Sequence, residues 1–448
     1  MVVSRDKAPT AQETFLQMAQ AAGLRSRLLV TIGLLVLARF GVFVPIPGID
    51  RLRFAEAIKN SSVLGFLDIF SGGGISAVGI FALGILPYIN ASIILQLLTA
   101  AIPALEDLQK NEGEAGRRKI SQITRYVAVG WAVIQSVGIT FGLLKPYAVD
   151  GGSPLFIAST ALALTAGSMF VMWLSELITE RGIGNGASLL IFVNIVAALP
   201  TTLGQTIEYA QTGGRETITK VIILLLVFLV MTVLIVFVQE GTRRIPIISA
   251  RRQVGRRLYR ERTSYLPLRL NQGGVMPIIF ASAVLIVPAS LAGFARNGGS
   301  KGFLAPVSDA LTVVANYLSP NGPTPWLYAL VYLILIVFFS YFYASLIVNP
   351  VDMAQNLKKM GASIPGIRPG RTTSEYVERV LNRLTFLGAI FLGLVAVVPT
   401  AVESVTKVPT FRGLGATSLL ILVGVAIDTA KQIQTYVISQ RYEGMVKQ

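Results

Sequence analysis

The run VIILLLVFLVMTVLIVFV, from Val221 to Val238, carries no charged residue over eighteen positions. About 20 apolar residues suffice to cross the hydrocarbon core of a bilayer as a helix. Inside lipid every backbone N–H and C=O has to pair within its own element, so the run predicts an α-helix. A transmembrane β-strand would alternate apolar and polar residues over about ten positions, and this run does not alternate. Read outward from it, the same criterion predicts ten spans: 28–46, 77–102, 124–144, 155–178, 187–207, 218–239, 275–294, 326–347, 384–402 and 415–436. The whole chain agrees, with 448 residues, 53% of them hydrophobic, 14% charged, and a mean hydropathy of +0.65. Soluble globular chains carry roughly 25% charged residues. A soluble enzyme, a disordered chain and a disulfide scaffold are excluded at this step.

Composition also bounds the chemistry. The chain has no Cys and no His, which removes disulfides, thiolate nucleophiles, the commonest general base and the commonest metal ligand. No Lys follows a Gly, so there is no phosphate-cradling G-x-x-x-x-G-K-[ST] loop. The residues imply no cofactor, no catalytic site and an energy source supplied by a partner.

The net charge is +16, and its distribution sets an expected orientation. Of the 39 Lys and Arg, 28 fall on the N-terminus, the loops at 103–125, 179–186, 240–272 and 349–383, and the tail from Lys431; ten fall on the opposite side. Both termini are therefore expected in the cytoplasm. The first span runs on into Pro45-Ile46-Pro47-Gly48 without a small-residue cleavage site, unlike a signal peptide. An apolar comb of Phe15, Leu16, Met18, Ala19 and Ala22 predicts a short surface helix before it.

Two strings recur. Residues 84–92 (GILPYINAS) match 274–282 (GVMPIIFAS), and 188–193 (SLLIFV) match 418–423 (SLLILV). Both pairs join spans five apart, which predicts a duplication. An odd number of spans per half turns the second half over, giving an inverted repeat. The predicted fold is thus an all-α polytopic membrane protein, its two five-helix halves covering 28–213 and 214–436. Residues 1–27 and 437–448 form cytoplasmic ends. The Pro in each longer string is expected to break a helix ladder.

The spans are nearly free of charge; Arg39, Glu176 and Asp428 are the main exceptions. Arg39 could snorkel, pair with an acid on another helix, or contact a partner. In place of charge, the repeated strings supply isoleucines. Ile is stiff at χ1, and several projecting inward would form an apolar collar that blocks ions by dewetting; for any one of them taken singly, ordinary helix packing or lipid contact is the simpler reading. Segment 64–74, with Leu67, Asp68, Ile69, Phe70, Ser71, Gly72, Gly73 and Gly74, is about half the length needed to span. It reads either as a re-entrant plug or as a surface helix.

Loop 240–272 is dense in arginine, including Arg243, Arg244, Arg251, Arg252, Arg256 and Arg257. Arg forks grip phosphate and carboxylate, so lipid headgroups, RNA and an acidic protein are all candidate ligands. Loop 349–383 adds Lys358, Lys359 and Arg368, the last set between Pro/Gly pairs that stiffen a loop tip.

Several stretches resemble the SecY family, channel-forming subunits of the bacterial-type Sec translocase: 43–48 (FVPIPG), 81–92, 182–186 (GIGNG), 266–268 (LPL) and 356–370. Cyanobacterial and plastid-type members fit the pattern too. The resemblance implies a passive channel for unfolded secretory polypeptides, with lateral release of signal sequences and membrane segments into lipid. By matched position the pore ring would be Ile85, Ile89, Ala187, Ile191, Ile279 and Ile421, Ala187 departing from the bulkier residue usual there. The plug would map onto Leu67–Gly74. The lateral gate would lie between spans two and three and spans seven and eight, with Asn90 and Gln96 tuning it. The basic loops would dock the SecA motor or the ribosome, and SecE and SecG would be companion subunits. The expected location is the bacterial plasma membrane, the thylakoid membrane also fitting. A small-solute transporter would need a polar mid-membrane site, and an intramembrane protease would need paired carboxylates or a Ser–Lys pair at depth; the charge-poor spans argue against both.

Overall fold

A computed structural model describes residues 22–51, 53–54, 71–110, 112–149, 151–249, 252–254, 257–259, 263–282, 284–285, 313–314, 317, 324–406 and 416–446. The expected surface helix before residue 22 and the plug residues Leu67, Asp68, Ile69 and Phe70 lie outside them, as do Arg251 and Arg256. Among the described residues, six helical runs are long and apolar enough to cross a membrane. The described helices are α1 (Ala22–Val42), α2 (Leu86–Ala101), α3 (Pro103–Lys110), α4 (Gly113–Ile139), α5 (Pro154–Arg181), α6 (Gly186–Thr212), α7 (Gly214–Glu240), α8 (Pro325–Ile347), α9 (Pro350–Lys359), α10 (Arg371–Thr406) and α11 (Ala416–Val446). The seventh predicted span is represented by a helical stretch at 276–282. Helix α11 continues through the stretch expected to be a tail.

The chain forms two compact units, one of residues up to Gln205 together with those from Ile421, the other running from Thr206 to Leu420 apart from residues 293–301. In the first unit α2 packs along α4, α4 along α5, and α1 against α5. Leu24, Ile183 and Val437 form a small buried cluster of this unit, with the Arg27 guanidinium 5.1 Å over the Tyr436 ring. In the second unit α8 and α7 both pack on α10.

The second predicted span departs from expectation. Its helix begins only at Leu86 and has 16 residues, about 24 Å, short of the ~30 Å apolar core. Residues 71–85 form turns instead. Gly84 has φ +53° and Pro87 occupies the first turn of α2. Pro87 therefore starts a helix, where its missing N–H costs nothing, and does not break one. The duplicated string behaves alike: Gly274 has φ +59° and Pro277 opens the stretch at 276–282. A left-handed φ is open to glycine without steric cost, so both repeats use the same turn-and-start device.

Non-helical backbone in a membrane protein needs partners from protein, and 71–85 has them. Ile46 N donates to Val78 O at 3.0 Å and Ile80 N to Val44 O at 2.9 Å, around the antiparallel bridge Pro45–Gly79. Ser168 Oγ, on α5, donates to Gly84 O at 3.0 Å. Ile46, Ile49, Ile75, Val78, Ala82, Leu83, Phe156 and Leu164 seal the same region. Val78 is held at φ +50°, a strained conformation for a β-branched residue.

Glycine is required where this segment crosses α1. A Cβ at Gly79 would overlap the Val42 carbonyl, whereas one at Gly33 meets nothing within 4 Å. Gly79→Ala should cost ~1–3 kcal/mol and lower the midpoint of thermal unfolding of the purified protein. Gly33→Ala should leave that midpoint unchanged or raise it slightly.

Candidate functional site

The six candidate ring residues all lie close to helix starts. Ile85 is the residue capping α2 and is 1% exposed, with Ile89 one turn on and buried. Ala187 is half-buried in the first turn of α6, and Ile191 is buried a turn later. Ile279 is half-buried at the fourth position of its helical stretch, the position Ile89 holds in α2. Ile421 is buried at the sixth position of α11, as Ile191 is in α6. The duplicated strings thus deliver their isoleucines at equivalent helical positions. Helix α6 is started by neighbours: Thr179 Oγ1 accepts from Gly186 N at 2.9 Å, Asn185 Oδ1 from Ser188 N at 3.3 Å, and Thr31 Oγ1 from Ile183 N at 3.0 Å.

The two span charges described by contacts are both engaged. Glu176 on α5 accepts from Arg125 Nε on α4 at 2.8 Å. Arg39 donates from Nη1 to Gly72 O at 2.6 Å and stacks 5.5 Å over Phe43. Arg39 thus bonds a backbone carbonyl of the first unit, 33 residues along the chain. No acid is used.

Around the candidate gate residues, Asn90 is half-buried, and Gln96 Nε2 donates to Ser92 Oγ at 3.3 Å. The repeat-equivalent serine, Ser282, shares a proton at 2.9 Å with the Tyr332 hydroxyl of α8. Ser282 Oγ also donates to Ile278 O at 2.8 Å within its own helix, so the second unit adds a bond to a neighbouring helix.

The basic loops fold into one body. Strands β1 (Thr242–Ser249) and β4 (Thr263–Arg269) form an antiparallel hairpin, and β5 (Ala362–Ser363) from the other loop pairs with β1 through Ile248–Ser363 and Ser249–Ala362. Alternation along β1 buries Ile245 and Ile247 and exposes Arg244 and Pro246. The buried face packs with Leu268, Ile364, Val377, Val380, Leu381 and Leu384. A smaller hairpin of β2 (Arg252–Val254) and β3 (Arg257–Tyr259) carries Arg252 and Arg257. Arg243, Lys358, Lys359 and Arg368 are exposed. The two lysines end α9, where the helix dipole favours cations. Gly366 and Gly370, at φ +78° and +116°, bracket Arg368, and Thr373 Oγ1 donates to Arg368 O at 2.8 Å. The strand pairing between the two loops is a tertiary feature that neither announces alone. Ser168, Thr31 and Thr373 likewise passed unnoticed, although each is a buried polar residue and so had to find a partner.

This architecture defines a polytopic helical membrane protein of the protein-conducting channel fold. The fold matches a solved protein-conducting channel with TM-score 0.63 at 18% identity, over 96% of this chain and 94% of that one. It matches Sec61 in the canine ribosome–channel complex with TM-score 0.60 at 17% identity, with the same coverage. The SecY family model matches residues 79–430, and the protein translocase subunit SecY of Synechocystis sp. is 75% identical over the full length of both chains. The chain belongs to the SecY family, and is an integral membrane protein.

The Thr373 bond carries a consequence for the loop tip. Thr373→Val removes one buried hydrogen bond, worth ~1 kcal/mol, while keeping the shape. Amide exchange at residues 366–371 should quicken by about fivefold, with exchange along β1 unchanged.

Proposed function

We infer that this chain is the pore-forming subunit of a Sec-type translocase, a passive conduit for unfolded polypeptide driven by a separate motor or by the elongating ribosome. Full-length identity of 75% to a translocase subunit carries the reading. Charge-poor spans and paired isoleucines support it, since an apolar constriction can deform around a chain of any sequence while excluding ions. In this reading Ile85, Ile89, Ala187, Ile191, Ile279 and Ile421 form the resting seal, and segment 64–74 plugs it. Asn90 and Gln96 tune a lateral gate. A signal sequence opens the channel because it binds the open state better than the closed one.

The sheet formed by β4, β1 and β5 is the docking platform. It presents Arg243, Arg244 and Arg368 from a common core, so a partner that grips one loop also moves the other. A SecA-type motor and the ribosome, an RNA-rich acidic surface, both suit it; SecE and SecG would be companion subunits. Both termini face the cytoplasm, on the side of the basic loops, and the membrane is the plasma or thylakoid membrane of a bacterial cell.

Ile421→Asn places an amide in the apolar ring. It should raise the resting ion conductance of the reconstituted complex by about tenfold and permit export of substrates with defective signals. Unchanged conductance and unchanged stringency would remove Ile421 from the seal. Arg368→Glu should abolish ATP-dependent import of a preprotein into proteoliposomes while the thermal midpoint of the complex stays put. Normal import would sink the docking assignment.

A further inference from the structure

Where β4 ends, the second unit crosses an irregular stretch, 270–275, before the helix at 276–282 begins. Backbone outside helix and sheet has to find its hydrogen bonds in side chains or ordered water. Beside this stretch lies a cavity of about 10 Å³, close to the room one water molecule takes. Asn271 and Gln272 of the stretch, Ser340 of α8, and Thr385 and Gly388 of α10 line it. The loop lies directly against α10, since a Cβ on Gly388 would come within 2.7 Å of Leu270 O. Three polar residues of the wall are buried: Asn271 is 7%, Ser340 5% and Thr385 6% exposed. Burying them around a gap is costly unless each finds a partner. Two have already spent their donors. Asn271 Nδ2 donates to Gly274 O at 2.8 Å, and Ser340 Oγ to Ile336 O at 2.7 Å. What these two still offer is acceptor oxygen, whereas the Thr385 hydroxyl can donate as well as accept. Among the described residues no charged side chain borders the cavity.

We propose that this cavity is a binding site for a single ordered water, which joins the 270–275 stretch to α8 and α10. The water gives its two protons to Asn271 Oδ1 and Ser340 Oγ and takes one hydrogen bond from Thr385 Oγ1. About three bonds is what a buried water ordinarily makes. Other occupants match the wall less well. A hard cation gathers about six oxygens or more, an anion would face the acceptor oxygens of Asn271 and Ser340, and an apolar guest would leave all three groups unpaired. Leu270, at the start of the stretch, packs against the apolar core shared by Ile245, Leu268 and Leu384. The water therefore sits at the joint where the sheet passes into the helical part of the unit. There it supplies a tie that no side chain of the wall is long enough to replace without displacing it.

The test uses the full-length chain in lipid nanodiscs, read by cryo-electron microscopy and by amide exchange. A map fine enough to show ordered solvent at other buried sites should show one peak within hydrogen-bond reach of Asn271, Ser340 and Thr385 together. Thr385→Val keeps the shape and removes the donor. The peak should fade and exchange at residues 270–275 should quicken about fivefold, with exchange along β1 unchanged. Ser340→Ala should act in the same direction, and the double variant should exchange little faster than either single. That non-additivity marks one shared ligand. Ala344→Ser, at another wall position, puts a hydroxyl into the space; it should expel the water yet leave exchange at 270–275 near the parent rate. An empty cavity in such a map would overturn the proposal. So would a peak that survives Thr385→Val and Ser340→Ala undiminished, since the named partners would then not hold it. Loss of the peak in Thr385→Val with exchange at 270–275 unaltered would show a water that ties nothing, and would equally overturn it.

Discussion

A peptide group in hydrocarbon has no water to fall back on, so its hydrogen bonds must come from the protein. Most of this chain meets that demand with helices, whose backbone is satisfied internally. The segment 71–85 does not, and the first unit is organised around supplying it. The strand-like stretch 43–49 after α1 donates to it and accepts from it, Ser168 reaches it from α5, and Arg39 reaches it from α1. The receiving segment is in turn constrained: Gly79 must lack a side chain where Val42 passes, and Gly72 where Arg39 and Asn194 close in. A short helix is thus extended through the membrane by backbone that only its neighbours make tolerable. Such backbone is also the part of the unit that a competing donor or acceptor could release, since its bonds are not tied to helical register.

The duplication shows the same logic applied twice with different means. Gly84 and Gly274 both adopt left-handed φ ahead of a proline-started helix. The Gly84 carbonyl is met by Ser168 from another helix, whereas the Gly274 carbonyl accepts from Asn271 Nδ2 at 2.8 Å within its own loop. Backbone geometry has been kept and side-chain partners exchanged, as expected if the turn is the functional element and any satisfied donor suffices. The isoleucines that follow arrive at equivalent helical positions in both copies.

Outside the apolar spans the demand is reversed. The arginine-rich loops cannot be buried, yet they are held in a fixed arrangement. A small apolar core beneath the β4-β1-β5 sheet provides the stiffness. It is continuous with α10, whose 36 residues span about 54 Å and so carry the same helix from the platform into the membrane.

Composition and hydropathy by themselves determined the class of the protein, the position of nearly every span, the basic side and the isoleucine-bearing repeats, because the cost of placing charge in lipid is a local property of each residue. The local patterns misjudged the start of α2, since an apolar residue scores alike in a helix and in a buried turn, and only φ at Gly84 and the placement of Pro87 separate the two. The tie from Arg39 to Gly72, the grip of Asn194, the serine on α5 and the strand shared between two loops all join residues far apart in sequence. Those were decided by tertiary structure alone: a hydrogen bond depends on angstrom-scale geometry between distant groups, and no pattern of neighbours along the chain encodes which carbonyl a buried guanidinium will find.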